Sequence, residues 1–165
     1  MPLEGFNIDN CVTASAMPGV GVLEYVPLDE VDASVFHDAI LQPDYNQQAS
    51  AGVAEWYKMP YVVGSGQWSE DQQATAQGQV FRLNINAQLP ADTPVVRGEL
   101  NAMRNRRFLL RLRKNGNTLL IGTPEQPLRF ESRFDSGADS GDARGHRITF
   151  TGNSIRKSPG YVPVF

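Results

Sequence analysis

The segment FLLRLRKNGNTLLIG, residues 108–122, restricts the fold more than any other part of the chain. Phe108, Leu110 and Leu112 alternate with Leu109, Arg111 and Arg113, the period of two of a strand with one buried face. Asn115-Gly116 then supplies the positive φ angles of a tight hairpin turn, and TLLIG, 118–122, returns. The same period recurs in GQVFRLNINAQL, 78–89, where Phe81, Leu83, Ile85, Ala87 and Leu89 share a face opposite Arg82, Asn84, Asn86 and Gln88. LRFESRF, 128–134, and HRITFTG, 146–152, repeat it with Leu128, Phe130 and Phe134, and with Ile148 and Phe150. A chain built this way folds around an antiparallel sheet.

Other segments complete the outline. VGVLEYVPL, 20–28, is rich in β-formers, and Pro27 marks an edge or a strand end. WYKMPYVVGSGQW, 56–68, is aromatic and β-branched but broken by Pro60 and the Gly64-Ser65-Gly66 turn. Two helices are expected. DASVFHDAIL, 32–41, spaces Val35, Phe36, Ala39 and Ile40 helically behind Asp32. DTPVVRGELNAMRNRR has Asp92 or Thr93 as cap, Pro94 at the first helical position and an apolar stripe of Val96, Leu100 and Met103. PDYNQQASAG, 43–52, reads as a polar loop. The fold class is therefore mainly β, a β-sandwich or split β-barrel with one flanking α-helix in the second half, an α+β arrangement. The elements do not alternate as β-α-β units would, which excludes a doubly wound sheet. At 165 residues the chain makes one domain, 1–165, with an irregular N-terminal arm at about 1–19 and a C-terminal arm at about 156–165.

No motif points to catalysis. Gly19-Val20-Gly21 lacks the later glycine and the lysine of phosphate-binding loops. DSGADSGDARG, 135–145, fails the calcium-loop spacing and reads as a solvated hairpin loop. His37 and His146 have no second ligand at metal-site spacing, and Cys11 has no cysteine partner. The carboxylate pairs Asp29/Glu30 and Glu70/Asp71 lie in polar, turn-like stretches where carboxylates remain solvated. No enzyme activity, cofactor or metal is expected. Cys11 alone excludes an internal disulfide, and the first ten residues lack the basic start and apolar stretch of a secretory signal, which predicts folding in a cytoplasm. No apolar run approaches the ~20 residues of a membrane span.

Charge carries the one strong signal. The formal net charge is only −3, yet every charged residue up to position 57 is acidic. From Arg97 to Lys114 the sign reverses, with Glu99 the single exception. The candidate contact residues are Arg104, Arg106, Arg107, Arg111 and Arg113 on the basic side and Asp29, Glu30 and Asp32 on the acidic side. Pairing between the two sets, within a subunit or across subunits, explains the asymmetry better than nucleic-acid binding. A nucleic-acid reader would interleave aromatics among its arginines, whereas Phe108 belongs to the core face.

The second half resembles small structural proteins of bacteriophage and prophage tail modules, similar to those of phages infecting Bacteroidetes bacteria. The resemblance is carried by QGQVFRLNINAQLP, by LNAMRNRRFLLRLRKNGNTLLIGTPEQPLRF and by HRITFTG, over roughly residues 64–155. It implies a non-enzymatic virion component, part of a tail tube, terminator, connector or baseplate, assembled as a homo-oligomeric ring. Its partners would be copies of itself and other tail proteins, with DNA as passing cargo, in the virion and, during assembly, the host cytoplasm. The terminal segments MPLEGF and YVPVF would be contact arms, and the acidic segment would line the lumen. The alternative is a soluble β-sandwich module that recognises nucleic acid or carbohydrate, with a small hydrolase third. Reversing Arg111 and Arg113 to glutamate is expected to spare the monomer and impair assembly.

Overall fold

A computed structural model describes residues 21–32, 55–62, 64–90, 92–114, 117–137, 145–154 and 160–161. The expected helix at 32–41 past its first residue, the polar loop at 43–52, the Asn115-Gly116 turn, Cys11, His37, the N-terminal arm and most of the C-terminal arm lie outside the described residues.

Among the described residues, nine strands and one α-helix follow in order: β1 (Val22–Pro27), β2 (Tyr57–Lys58), β3 (Gln67–Thr75), β4 (Gly78–Gln88), α1 (Pro94–Met103), β5 (Arg107–Lys114), β6 (Asn117–Ile121), β7 (Leu128–Asp135), β8 (Gly145–Ser154) and β9 (Gly160–Tyr161). A 3-10 turn, Leu28–Glu30, ends β1 just after Pro27. The mainly β reading with one inserted helix is met. All strand pairings are antiparallel, in one sheet of order β2-β1-β5-β7-β8-β4-β3, with β6 on β5 and β9 on β6. The path ends on β2 and β3 without their meeting, so the sheet is not closed into a barrel. The C-terminal arm is docked where Gly160 and Tyr161 pair with Leu119 and Thr118.

The sheet forks at β5. One edge of β5 takes β1 from Phe108 to Arg113. The other edge is divided: Leu110–Lys114 pair with β6, while only Arg107 and Phe108 pair with β7. Beyond Leu128 and Arg129, β7 therefore leaves β5 and keeps β8 as its one strand neighbour among the described residues.

Alternation decides what is buried. Leu83, Ile85 and Ala87 of β4, with Leu89 just past its end, face Phe108, Leu110 and Leu112 of β5, Leu128, Ile148 and Phe150, and this core also takes Leu23 and Tyr25 of β1. Phe108 sits at its centre, with the rings of Tyr25, Phe130 and Phe150 within 6 Å, centroid to centroid. Helix α1 closes the core with Val96, Leu100 and Met103, the stripe the spacing predicts. Thr93 caps it by accepting from the Val96 N–H at 3.3 Å, and Pro94 opens its first turn. The helix ends where Arg104 turns extended and Asn105 takes φ 62°. The opposite face of β5 is not simply solvated. Leu109 is fully buried there with Val26 and Leu120, under Val31 and Trp56.

Candidate assembly surfaces

The question posed by the hairpin arginines has a local answer. Register puts Glu24 of β1 directly across from Arg111 of β5, with Lys58 on its other side. Glu24 is buried, and its two carboxylate oxygens accept from Arg111 Nε at 2.5 Å and Arg113 Nη2 at 2.7 Å. The Arg111 guanidinium also lies 4.6 Å from the centre of the Trp56 ring. Arg111 and Arg113 thus pair inside the chain with the acidic first third. Arg106 reaches Asp29 at 3.3 Å, but Asp29 is largely exposed, so that contact is worth little. Glu30 accepts from the Tyr57 hydroxyl at 2.9 Å. Burial first, and then Glu30, pushes the Tyr57 phenol up to about 12. Asp32 is exposed just past the 3-10 turn. Arg104 and Arg107 are exposed and meet no carboxylate among the described residues.

Pairing of the arginines, as read from sequence, omitted the carboxylates that matter most. An acidic residue inside the β-forming run VLEYV is the signal that could have marked Glu24, because a carboxylate buried in a strand needs a partner. Glu99, the acidic exception in the basic segment, is likewise buried and accepts from the Tyr25 hydroxyl at 3.0 Å. Burial and then Glu99 hold the Tyr25 phenol well above its ordinary range.

Beside the candidate Arg107, the solvent face of the sheet carries Arg129, Arg133 and Arg147, which the contact candidates left out. Arg107 lies directly across from Arg129, and Arg133 directly across from Arg147. Like charges directly opposite are unfavourable in a sheet, so the fold itself gains nothing from either pair. Glu131 sits between them on β7, facing Thr149 of β8.

A groove opens where β7 leaves β5. Its volume is about 560 Å³, and it is lined by Arg97, Leu100 and Asn101 of α1, by Arg104 just past its end, by Phe130, Glu131 and Ser132 of β7, and by His146. Arg97, Asn101 and Arg104 recur at the spacing of one helix face. Three consecutive β7 residues line it although alternate side chains point to opposite sheet faces, so the groove runs along the strand's backbone edge. Asp92 closes one end: it accepts from Arg97 at 2.6 and 2.7 Å and stands 2.8 Å from His146 Nε2. The Phe134 ring is tilted against His146, centroids 5.0 Å apart, and lies under Arg97. Ser132, His146 and Asp92 are the residue types of a nucleophilic triad, but no hydrogen bond joins Ser132 to His146, so that relay is not assembled.

The hydrogen bonds from Arg97, and then from His146, hold the Asp92 carboxyl well below the usual carboxylate range. A depressed folded-state pKa contributes stability that is complete above the unfolded value, near 4, and is lost as pH falls below it. Asp92→Asn is therefore expected to flatten the acid side of the stability profile, over roughly pH 2 to 4. Urea midpoints measured across that range check it.

Among the described residues there is no group of three His, Cys, Asp or Glu side chains placed to hold a metal ion, and no helix long and apolar enough to cross a membrane. No protein-family model, curated protein or solved structure matches the chain.

Proposed function

We propose that this chain is a non-enzymatic structural protein that works by assembling with copies of itself, as a ring-forming component of a phage tail. The observation that carries the assembly part is the ribbon formed by the far ends of β3 and β4. β8 pairs with β4 from Phe81 to Gln88, so among the described residues the pairs from Gln73–Val80 to Thr75–Gly78 extend as two strands alone. Residues 71–79 are all exposed. Two strands are marginal in water without a third strand or a packed face, so a ribbon kept at this length fits a role outside the subunit. The arginine pairs of the solvent face, which make no ion pair among the described residues, point the same way. The tail assignment is supported by the resemblance of residues 64–155 to tail-module proteins. A ring needs one patch on each subunit to meet a different patch on the next, and an open sheet with unlike ends supplies unlike patches.

Light scattering across a concentration series, with negative-stain imaging, is the test. Discrete oligomers with rotational symmetry are expected; a monomer persisting to millimolar concentration removes the reading. The basic solvent face, with Arg107, Arg129, Arg133 and Arg147, favours nucleic-acid binding as the second reading. It predicts a mobility shift with DNA that weakens steeply with salt, and no shift at low salt eliminates it.

A further inference from the structure

Besides the outer edges of the two-residue strands β2 and β9, two long strand edges have no neighbour among the described residues. One is β3, nine residues at the end of the sheet, with β4 on its other side. The other is β7 from Phe130 to Asp135, exposed by the fork and bordering the groove under α1. Exposed edges are blunted by lysine, proline, a very short strand or charged side chains, inward-pointing ones included. β3 has neither lysine nor proline in QWSEDQQAT and carries only Glu70 and Asp71 as charges, and the FESRFD stretch of β7 also lacks lysine and proline. Each offers a row of backbone donors and acceptors, the recognition surface used when a strand is added to a sheet.

We infer that these edges are complementary halves of one contact, resting on the assembly proposed above: β3 of one copy adds to the β7 edge of a second copy, beneath the α1 groove. Length and charge both favour this occupant. β3 is long enough to span all six free β7 residues. Its charges are carboxylates alone: Glu70 on the core side with Trp68, and Asp71 on the solvent side. If the two sheets join with faces matched, the Glu70 side meets α1, where Arg104 meets no carboxylate among the described residues. The Asp71 side meets Arg129 and Arg133, with Glu131 the like charge between them. Leu100 and Phe130 supply an apolar floor. The two edges differ, so the contact repeats head to tail.

Cysteine pairs test this in the full chain with Cys11→Ser, which removes the native thiol. Ser132→Cys on β7 is combined in turn with Glu70→Cys, Gln72→Cys and Ala74→Cys, all on the core-side parity of β3. Within one subunit β4 and β8 separate these strands by roughly 14 Å, three strand spacings. A disulfide needs Cα atoms within about 7 Å, so any bond formed must join two copies. Mild oxidation should convert most of the monomer band into a ladder for at least one pair. Oligomers in light scattering with no ladder from any of the three pairs overturn this contact and leave assembly standing. Absence of oligomers at every concentration overturns the assembly reading itself, and this inference with it.

Discussion

Replacing Glu24 by alanine should destabilise the fold by about 3–5 kcal/mol, a large part of the roughly 5–15 kcal/mol a domain of this size has. The carboxylate is a net requirement of its surroundings, not a decoration of them. Arg111 has only 15% of its side chain exposed, held between Glu24 and the Trp56 ring. Without Glu24 its charge stays buried with nothing to answer it. Arg113 is 43% exposed and can turn to water, so Arg113→Ala should cost about 1 kcal/mol or less. Arg111→Ala strands Glu24 in turn and should fall near the Glu24 value. Urea unfolding of the three variants gives the order directly. Comparable losses for Arg111 and Arg113, or a loss under 1 kcal/mol for Glu24, would mean that water reaches the cluster. The expectation that reversing Arg111 and Arg113 spares the monomer is revised by the same geometry: Arg111→Glu sets two carboxylates against each other inside the sheet. Arg104 and Arg107, exposed and without carboxylates among the described residues, are the positions where reversal separates assembly from folding.

The parts of the fold that depend on period were readable from residues. β4, β5 and β8 fall where alternation puts them, because a one-residue slip would turn Leu83, Ile85 and Phe150 outward. α1 falls where its cap and stripe put it. Pairing between strands distant in sequence was not readable, and the site depends on it. Glu24 and Arg111 are 87 residues apart and meet only because β1 lies beside β5. Asp92 and His146 are 54 apart and meet where the end of β4 crosses the start of β8. The fork leaves no mark in sequence either. Period shows that residues 108–114 form a strand with a buried face, but not that their far edge serves two different strands. Leu109 shows the limit of reading by face: its alternation with Arg111 and Arg113 suggested a wet side, and Val31, Trp56 and Leu120 cover it.

Gly145→Ala is expected to be as damaging as loss of the buried carboxylate, for a reason that lies wholly in the backbone. Gly145 opens β8 at φ +146°, a conformation L side chains rarely adopt, and an added Cβ would stand 2.8 Å from the Leu89 carbonyl oxygen. Holding a non-glycine residue there costs about 1–3 kcal/mol. The overlap adds about 1–3 kcal/mol, because a main-chain oxygen cannot rotate away as a side chain can. The Leu89 amide is itself tied to the His146 carbonyl at 2.8 Å, so moving one strand end moves the other. Gly78 provides the control. It has φ +123° at the tip of the β3–β4 ribbon, with nothing within 4 Å of an added Cβ. Gly78→Ala therefore carries the strain without the clash and should cost about 1–3 kcal/mol. The difference between the two, measured by thermal or urea unfolding, isolates the contact that sets β8 against the end of β4. Because His146 follows Gly145 and faces Asp92, Gly145→Ala should also shift the His146 ring signals in NMR, whereas Gly78→Ala should leave them in place. Equal destabilisation by the two substitutions would show that the Leu89 carbonyl has room to yield. The groove end formed by Asp92 and His146 would then not be held by this junction.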